Sequence, residues 1–310
     1  MTPRIVALGG GRGLSASLSA LRLLPVERIA VVSVADDGAS SGRLRSELGV
    51  LPPGDFRKAL VALASDGVMG DLFEHRFEST GPLSGHAVGN LVLAGLFDAL
   101  GDPLEALARA TAMVRAGGTV LPMAEQALEL VGRVGAVTVR GQAALVRTPG
   151  RIEELRLEPP GVPACRGAVE AIRSADAVVL GPGSWFTSVL PHLLLPELAE
   201  AVAAARVVLV LNLAAGPGET AGMSAADHLA ALARHAPLVR PDVILADPRA
   251  LEGTAGHDAL RREAESRGGR VVVAQVATPD GGPRHDAPML AAALRSVLGE
   301  LLGHDLESAR

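Results

Sequence analysis

Aromatic side chains are scarce: the 310 residues hold one Trp, five Phe and no Tyr. A core without them must be built from Val, Leu and Ala. That suits helices packed on a parallel sheet better than an aromatic-rich β-sandwich. Cysteine is confined to Cys165. One thiol permits no intrachain disulfide and no multi-Cys metal site, so an oxidising compartment is not needed. Lysine is confined to Lys58, and the net charge is −5. That balance disfavours a broad nucleic-acid or anionic-membrane surface but leaves room for one local phosphate pocket. The longest charge-free stretch, Ala177–Pro196, is interrupted by Pro182 and Pro191, so it makes a poor membrane span. MTPRIVALGGG runs straight into a strand-like segment without the pattern of a signal peptide. A soluble, cytoplasmic protein is expected.

What is present is an alternation of short apolar runs and amphipathic stretches. With 48% hydrophobic and 20% charged residues the chain is not intrinsically disordered. Strands are expected at Arg4–Leu8, Ile29–Val34, Ala177–Gly181, Val207–Asn212, Val243–Ala246 and Arg270–Val273. Helices are expected at Leu14–Leu24, His86–Leu100, Pro103–Val114 and Ala287–Leu302. β-branched runs followed by Gly and then a helix predict an α/β fold with a doubly wound, mostly parallel sheet. Leu128–Leu157 differs: LELVGRV, AVTVRGQ and RIEELRLEP alternate like antiparallel hairpin strands. A small antiparallel β insertion over residues 122–160 is expected inside one domain spanning 1–310. Asp247–His257 reads as a mobile loop. No internal repeat is present.

Polar motifs cluster at the predicted strand ends, where doubly wound sheets bind ligands. Gly10, Gly11, Arg12 and Gly13 open a helix after the first strand, a turn suited to phosphate. Leu14 stands where a dinucleotide fingerprint has its last Gly, which argues against a nicotinamide dehydrogenase. Asp36, Asp37, Ser40 and Ser41 follow the second strand; their carboxylates can bind ribose, hold Mg²⁺ or act as a base. In PPGDFRK, Asp55 is placed to cap a helix, and Arg57 and Lys58 oppose that helix dipole unless an anion is near. His86 and Asn90 share a helix face. Gly181, Gly183, Ser184 and Thr187 form a second Gly loop, a candidate second phosphate cradle. Asn212 ends a strand before Gly216–Thr220, and Arg284 precedes the last helix, which Asp286 can cap. There is no G-x-S-x-G elbow, no H-E-x-x-H and no Walker A motif.

Taken together, ALGGGRGLS (7–15), VADDGASSGRLR (34–45), LGVLPPGDFRKAL (48–60), GHAVGN (85–90), GPGSWFTS (181–188), GPGETAGMSAADH (216–228) and RHD (284–286) resemble the YvcK-like family of gluconeogenesis factors. That family is a branch of the superfamily containing the 2-phospho-L-lactate transferase CofD. The resemblance implies a Rossmann-like, CofD-like fold. It also implies a nucleotide-sugar ligand such as UDP-N-acetylglucosamine and a regulatory role in cell shape and cell-wall synthesis, with no established catalysis. The alternative it carries is a CofD-type transfer to a deazaflavin alcohol, with Mg²⁺ on Asp36 or Asp37. This chain departs from the family at Arg12 (usually Thr), Lys58 (usually Asn) and Phe186 (often Tyr), and it has no Tyr for stacking on uracil. The expected partners are a nucleotide sugar or another phosphate-bearing nucleotide and a second copy of the chain, with neither nucleic acid nor membrane insertion.

Overall fold

The computed structural model describes residues 2–214, 218–251, 253–303 and 306. Ten strands are present among them: β1 Arg4–Gly9, β2 Glu27–Val32, β3 Thr119–Pro122, β4 Glu129–Val134, β5 Val137–Arg140, β6 Ile152–Glu158, β7 Ala177–Leu180, β8 Val207–Val210, β9 Val243–Ala246 and β10 Arg270–Val273. Seven form one sheet in the order β10-β9-β8-β7-β1-β2-β3, and every pairing in it is parallel. The other three form an antiparallel sheet in the order β5-β4-β6. The expected α/β, doubly wound parallel sheet with a small antiparallel insertion is therefore what the chain builds.

The central strands show why. Every residue of β7, β8 and β9 is buried. Near-continuous Val, Leu and Ala runs are what a strand covered on both faces requires. The core follows the composition, with Ile5, Val6, Ala7 and Leu8 fully buried on β1 and Leu14, Leu18 and Leu21 packed over it from the helix Gly11–Leu21. The buried apolar residues form one cluster that runs from Ile5 to Leu306.

From β1 the chain moves outward through β2 to β3. It then crosses back through the antiparallel sheet and the helix Arg166–Arg173 to β7, on the opposite side of β1, and continues outward to β10. The winding direction reverses between β1 and β7. Doubly wound sheets open their ligand crevice at that switch point, beyond the strands' carboxyl ends.

Local differences from expectation have physical reasons. The first helix begins at Gly11, not Leu14, because the Gly-rich turn is itself its first turn; Gly11 takes φ +61°, which costs a residue without Cβ nothing. β2 runs from Glu27 to Val32, so Ser33 and Val34 are buried but lie beyond the ladder. Thr119–Pro122 adds an edge strand to the parallel sheet just before the antiparallel insertion. A six-residue helix, Gln142–Arg147, sits inside the β insertion. Much of the expected 247–257 loop is regular: Pro248–Ala250 is a 3₁₀ turn capped by Asp247, and Gly253–Glu265 is a helix.

Candidate functional site

The crevice is built on two glycine loops pressed into each other. A Cβ on Gly13 would lie 2.1 Å from the Pro182 carbonyl oxygen and 2.5 Å from the Gly183 Cα. The helix Gly11–Leu21 has neither a side-chain cap nor an acidic residue in its first turn. Its leading amides and positive dipole end are unspent, which is what an anion needs. Arg12 is exposed on that turn and makes no hydrogen bond or ion pair with the described residues.

Asp55 does not cap its helix. The N-cap is Pro52, and no side-chain cap bond forms. The Asp55 carboxylate is buried instead against the first turn, 2.5 Å from where a Gly10 Cβ would stand, and Lys58 Nζ donates to its Oδ1 at 2.8 Å. The single lysine is thereby held beside the glycine turn, 4.0 Å from a Cβ on Gly11. Asp36 Oδ1 accepts the Gly38 amide at 3.0 Å, and Asp36 Oδ2 would lie 3.0 Å from a Gly54 Cβ. Burial, then the neighbouring Asp55 charge, push the Asp36 carboxyl above the usual range. Ser41 Oγ accepts the Gly54 amide at 3.0 Å, which joins the two loops.

Asp37 turns toward the insertion. Its Oδ1 accepts the Ala143 amide at 2.8 Å, and a Cβ on Gly141 would lie 2.2 Å from its Oδ2. Across the crevice, Gln142 Nε2 donates to the Thr187 carbonyl at 3.2 Å, and the Val146 carbonyl oxygen would lie 2.0 Å from a Cβ on Gly218. The insertion helix therefore bridges the loops after β2, β7 and β8.

Ser40, His86 and Asn90 meet in a buried chain whose donors and acceptors are fixed in sequence. Arg57 Nε donates to Asn90 Oδ1 at 3.0 Å, which orients the Asn90 amide so that its Nδ2 donates to Ser40 Oγ at 2.9 Å. Ser40 then directs its hydroxyl to His86 Nδ1 at 2.8 Å. His86 is accordingly neutral at Nδ1; burial, Arg43 and Arg76 lower its pKa against an opposing pull from Glu47. Arg57 also pairs with Glu74. This chain ties the helices Ala39–Leu48, Pro53–Leu63 and Val88–Leu100 beneath the Asp36 loop. Ser40→Ala removes the link between two buried polar groups. The expected loss is about 1–2 kcal/mol of stability, read as a lower urea midpoint at unchanged slope.

In the second glycine loop, Asn212 clamps Gly183, accepting its amide at 2.9 Å and donating to its carbonyl at 2.7 Å. The Thr187 hydroxyl donates to Ser184, whose own hydroxyl donates to Glu219. Glu219 is buried, and burial pushes its carboxyl up to about 6 against the Ser184 hydroxyl and the nearby Phe186 and Trp185 amides. The protein's own buried carboxylate is thus bonded into the second glycine loop. Gly216 and Pro217 of that motif lie outside the described residues. Gly181 lies at the base of this loop, with a Cβ there 2.8 Å from the Val210 carbonyl oxygen. Arg284 stands apart: it is exposed, pairs with Asp280 at 2.8 Å, and follows β10, four strands from β1. Asp286 does cap the last helix, accepting the Met289 amide at 2.9 Å.

Comparison with known proteins agrees with this architecture. Residues 5–275 match the family described as 2-phospho-L-lactate transferase CofD. A Mycobacterium tuberculosis relative is 50% identical over 317 residues, covering 98% of this chain and 92% of that protein. A gluconeogenesis factor of Bacillus subtilis is 38% identical over 87% of this chain and 85% of its own length. A crystal structure of a UPF0052-family protein from Bacillus halodurans superposes with a TM-score of 0.87 at 36% identity, covering 95% of this chain and 99% of that one. The chain belongs to the CofD family. Its relatives place it in the YvcK-like, gluconeogenesis-factor branch.

Proposed function

We propose that the protein is a cytoplasmic nucleotide-sugar sensor whose occupancy regulates envelope growth and cell shape, with UDP-N-acetylglucosamine as the representative ligand. One observation carries the reading: two interlocked glycine loops at the β1/β7 switch point, one of them opening an uncapped helix of eleven residues. The diphosphate lies on the Gly10–Gly13 turn, with Arg12 and Lys58 supplying positive charge. The ribose hydroxyls reach Asp36, since a carboxylate at the end of the second strand takes that role in doubly wound nucleotide sites. The sugar then extends over β7 and β8. No helix among the described residues is long and apolar enough to cross a membrane.

Thermal-shift and calorimetric titration against UDP-N-acetylglucosamine, GDP and NAD test this reading. At ~100 times the dissociation constant a ligand specific for the folded state adds about 2.7 kcal/mol, a rise of several degrees. Asp36→Asn is expected to weaken UDP-sugar binding by about 10- to 100-fold, the worth of a hydrogen bond to a charged group. A shift with NAD alone would overturn the proposal.

A second reading, CofD-type group transfer, is favoured by the adjacent carboxylates Asp36 and Asp55. Mg²⁺ there would be held by these two residues together with ligand phosphates, and it would neutralise charge developing on a transferring phosphoryl group. Asp37 suits that role poorly, because one of its oxygens is bonded to the Ala143 amide and the other packs on Gly141. Mg²⁺-dependent formation of a new phosphodiester from a deazaflavin alcohol is the outcome that would select this reading over the sensor.

A further inference from the structure

The antiparallel insertion is tied to the rest of the chain differently on its two sides. The chain enters and leaves it at one place, because the Cys165 amide donates to the Met123 carbonyl at 2.9 Å. Both connections, 123–128 and 159–165, are free of helix and strand. Close by, the Leu128 amide donates to the Val34 carbonyl at 3.3 Å, and Arg45 donates to the Leu128 carbonyl at 2.8 Å. These ties and the Asp37–Ala143 bond lie on the β2 side. Two long side chains reach the far side. Gln142 holds the Thr187 carbonyl after β7. Arg151 meets Asp227 of the helix Ala225–His235, after β8, at 3.4 Å, with both side chains exposed. Bonds of these kinds are individually weak. The helix Gln142–Arg147 is carried by the small sheet: Leu145 is buried against Gly132, where a Cβ would lie 2.6 Å from its Cδ2, and the Gly141 amide donates to the Leu130 carbonyl at 2.8 Å.

The sheet order puts this helix across the crevice. β2 and β7 flank β1, so a segment bonded to the loops after both passes the end of β1, where Gly10–Gly13 turns. Strands stand about 4.8 Å apart, which puts β2 about 10 Å from β7, and six residues of helix span about 9 Å. We propose that the insertion is a lid on the glycine turn. It is hinged beside β2 and latched by Gln142 and Arg151; it swings open to admit a ligand and closes to hold it. Asp37 then belongs to the hinge, which accounts for a carboxylate at a strand end being spent on a main-chain amide. Segments that open and close over a site are those with few and weak ties on their moving side. The lid stands on the geometry; only the identity of what it admits rests on the nucleotide-sugar reading.

The test places spin labels at Val137→Cys, on the insertion hairpin, and Val273→Cys, at the carboxyl end of β10; both sites are exposed, and the native Cys165 is buried. Label-to-label distances are measured in the otherwise wild-type protein, Gln142→Ala, Arg151→Ala and the double variant, with a melting curve for each. Gln142→Ala should raise the open-to-closed ratio, read as weight at longer distance, by about two- to tenfold, the worth of one hydrogen bond. Arg151→Ala should raise it less, and the double variant most. Stopped-flow binding of UDP-N-acetylglucosamine is the second arm. Gln142→Ala should speed association and dissociation by a similar factor and leave the affinity near its wild-type value, because entry and exit both wait for opening. A side chain that merely touched the ligand would speed dissociation alone. One distance distribution shared by all four proteins overturns the lid, and so does unchanged association in Gln142→Ala. Should Gln142→Ala fail to fold, Arg151→Ala, at an exposed ion pair, decides by the same distances. If the nucleotide sugar does not bind the wild type, the nucleotide-sugar reading falls, and the distances still decide the lid.

Discussion

Gly13→Ala is expected to destabilise the protein by about 2 kcal/mol and to abolish detectable nucleotide binding. The new Cβ would stand 2.1 Å from the Pro182 carbonyl oxygen and 2.5 Å from the Gly183 Cα. Both obstacles are backbone, so no rotamer change relieves them, and a cost near the top of the overpacking range, about 3 kcal/mol, follows. Against it stands the helical advantage of Ala over Gly, about 1 kcal/mol. The clash wins. Its effect on binding is expected to exceed its effect on stability, because relief requires the two glycine loops to separate, and that displaces the amides proposed to meet a diphosphate. A loss of at least 100-fold in affinity is expected. Gly95→Ala is the control. Gly95 lies inside the helix Val88–Leu100, and a Cβ there meets nothing within 4 Å. The same change should stabilise the protein there by up to about 1 kcal/mol. Urea midpoints of the two variants moving in opposite directions would confirm the interlock; a neutral Gly13→Ala would show that the loops are free to part.

Much of this frame is legible in the sequence because the relevant signals are local. β9 and β10 fall on the expected residues, since a short run of three or four apolar residues beside polar turns leaves little room for error. The glycine loops are readable for the same reason. What escapes is set by contacts distant in the chain. Asp37 faces Ala143, 106 positions away, and nothing in DDGASSG signals that its carboxylate turns to an insertion instead of a ligand. The helix Gln142–Arg147 is too short for a helical period to stand out from alternating strands. Asp55 carries the pattern of a cap, yet it is drawn to Lys58 and the Gly10 turn because Pro52 already begins the helix.

Glu219 lies in the visible Gly216–Thr220 motif, yet nothing in the sequence marks it as a site residue. A Glu in a Gly-rich loop looks solvated, and only burial against Ser184 makes it unusual. The signal that would have found it is its place after β8, one strand from the switch point. The chain Ser40–His86–Asn90 was legible as residues and not as a relay. Its direction depends on Arg57, whose side chain is buried beneath the loop instead of facing an anion.

Two buried groups, His192 and Glu219, are expected to pull the acid limb of the stability profile in opposite directions, beside Asp36 and the imidazoles of His86, His228, His235 and His285, which burial also shifts. His192 is fully buried, 3.1 Å from the Val31 carbonyl oxygen, and burial lowers its pKa to about 4. The unfolded chain takes up this proton near pH 6.5 and the native state does not, so stability present above pH 6.5 is lost as the pH falls toward 4. Over that window the loss is about 3 kcal/mol. Glu219 acts with the opposite sign. Its carboxyl is raised to about 6 in the native state, against 4.5 for an unperturbed glutamate, so its stabilising contribution is full below 4.5 and is lost as the pH rises through 6. Acidification therefore returns about 2 kcal/mol from Glu219. Between pH 6 and 4.5 the two slopes nearly cancel, and these two groups together contribute a net loss of about 1 kcal/mol across the range. Substitution separates them. Glu219→Gln should be more stable than the wild type by about 2 kcal/mol at pH 7.5, equal to it at pH 4, and should show the full acid loss of His192. His192→Gln should lose about 3 kcal/mol of the acid loss that the wild type shows. All other groups titrate alike in the three proteins and drop out of the differences. The measurement is urea unfolding at half-unit steps from pH 4 to 7.5. A Glu219→Gln difference that stays constant with pH would remove Glu219 as a titrating group, and with it the view that the second glycine loop is held by the protein's own carboxylate.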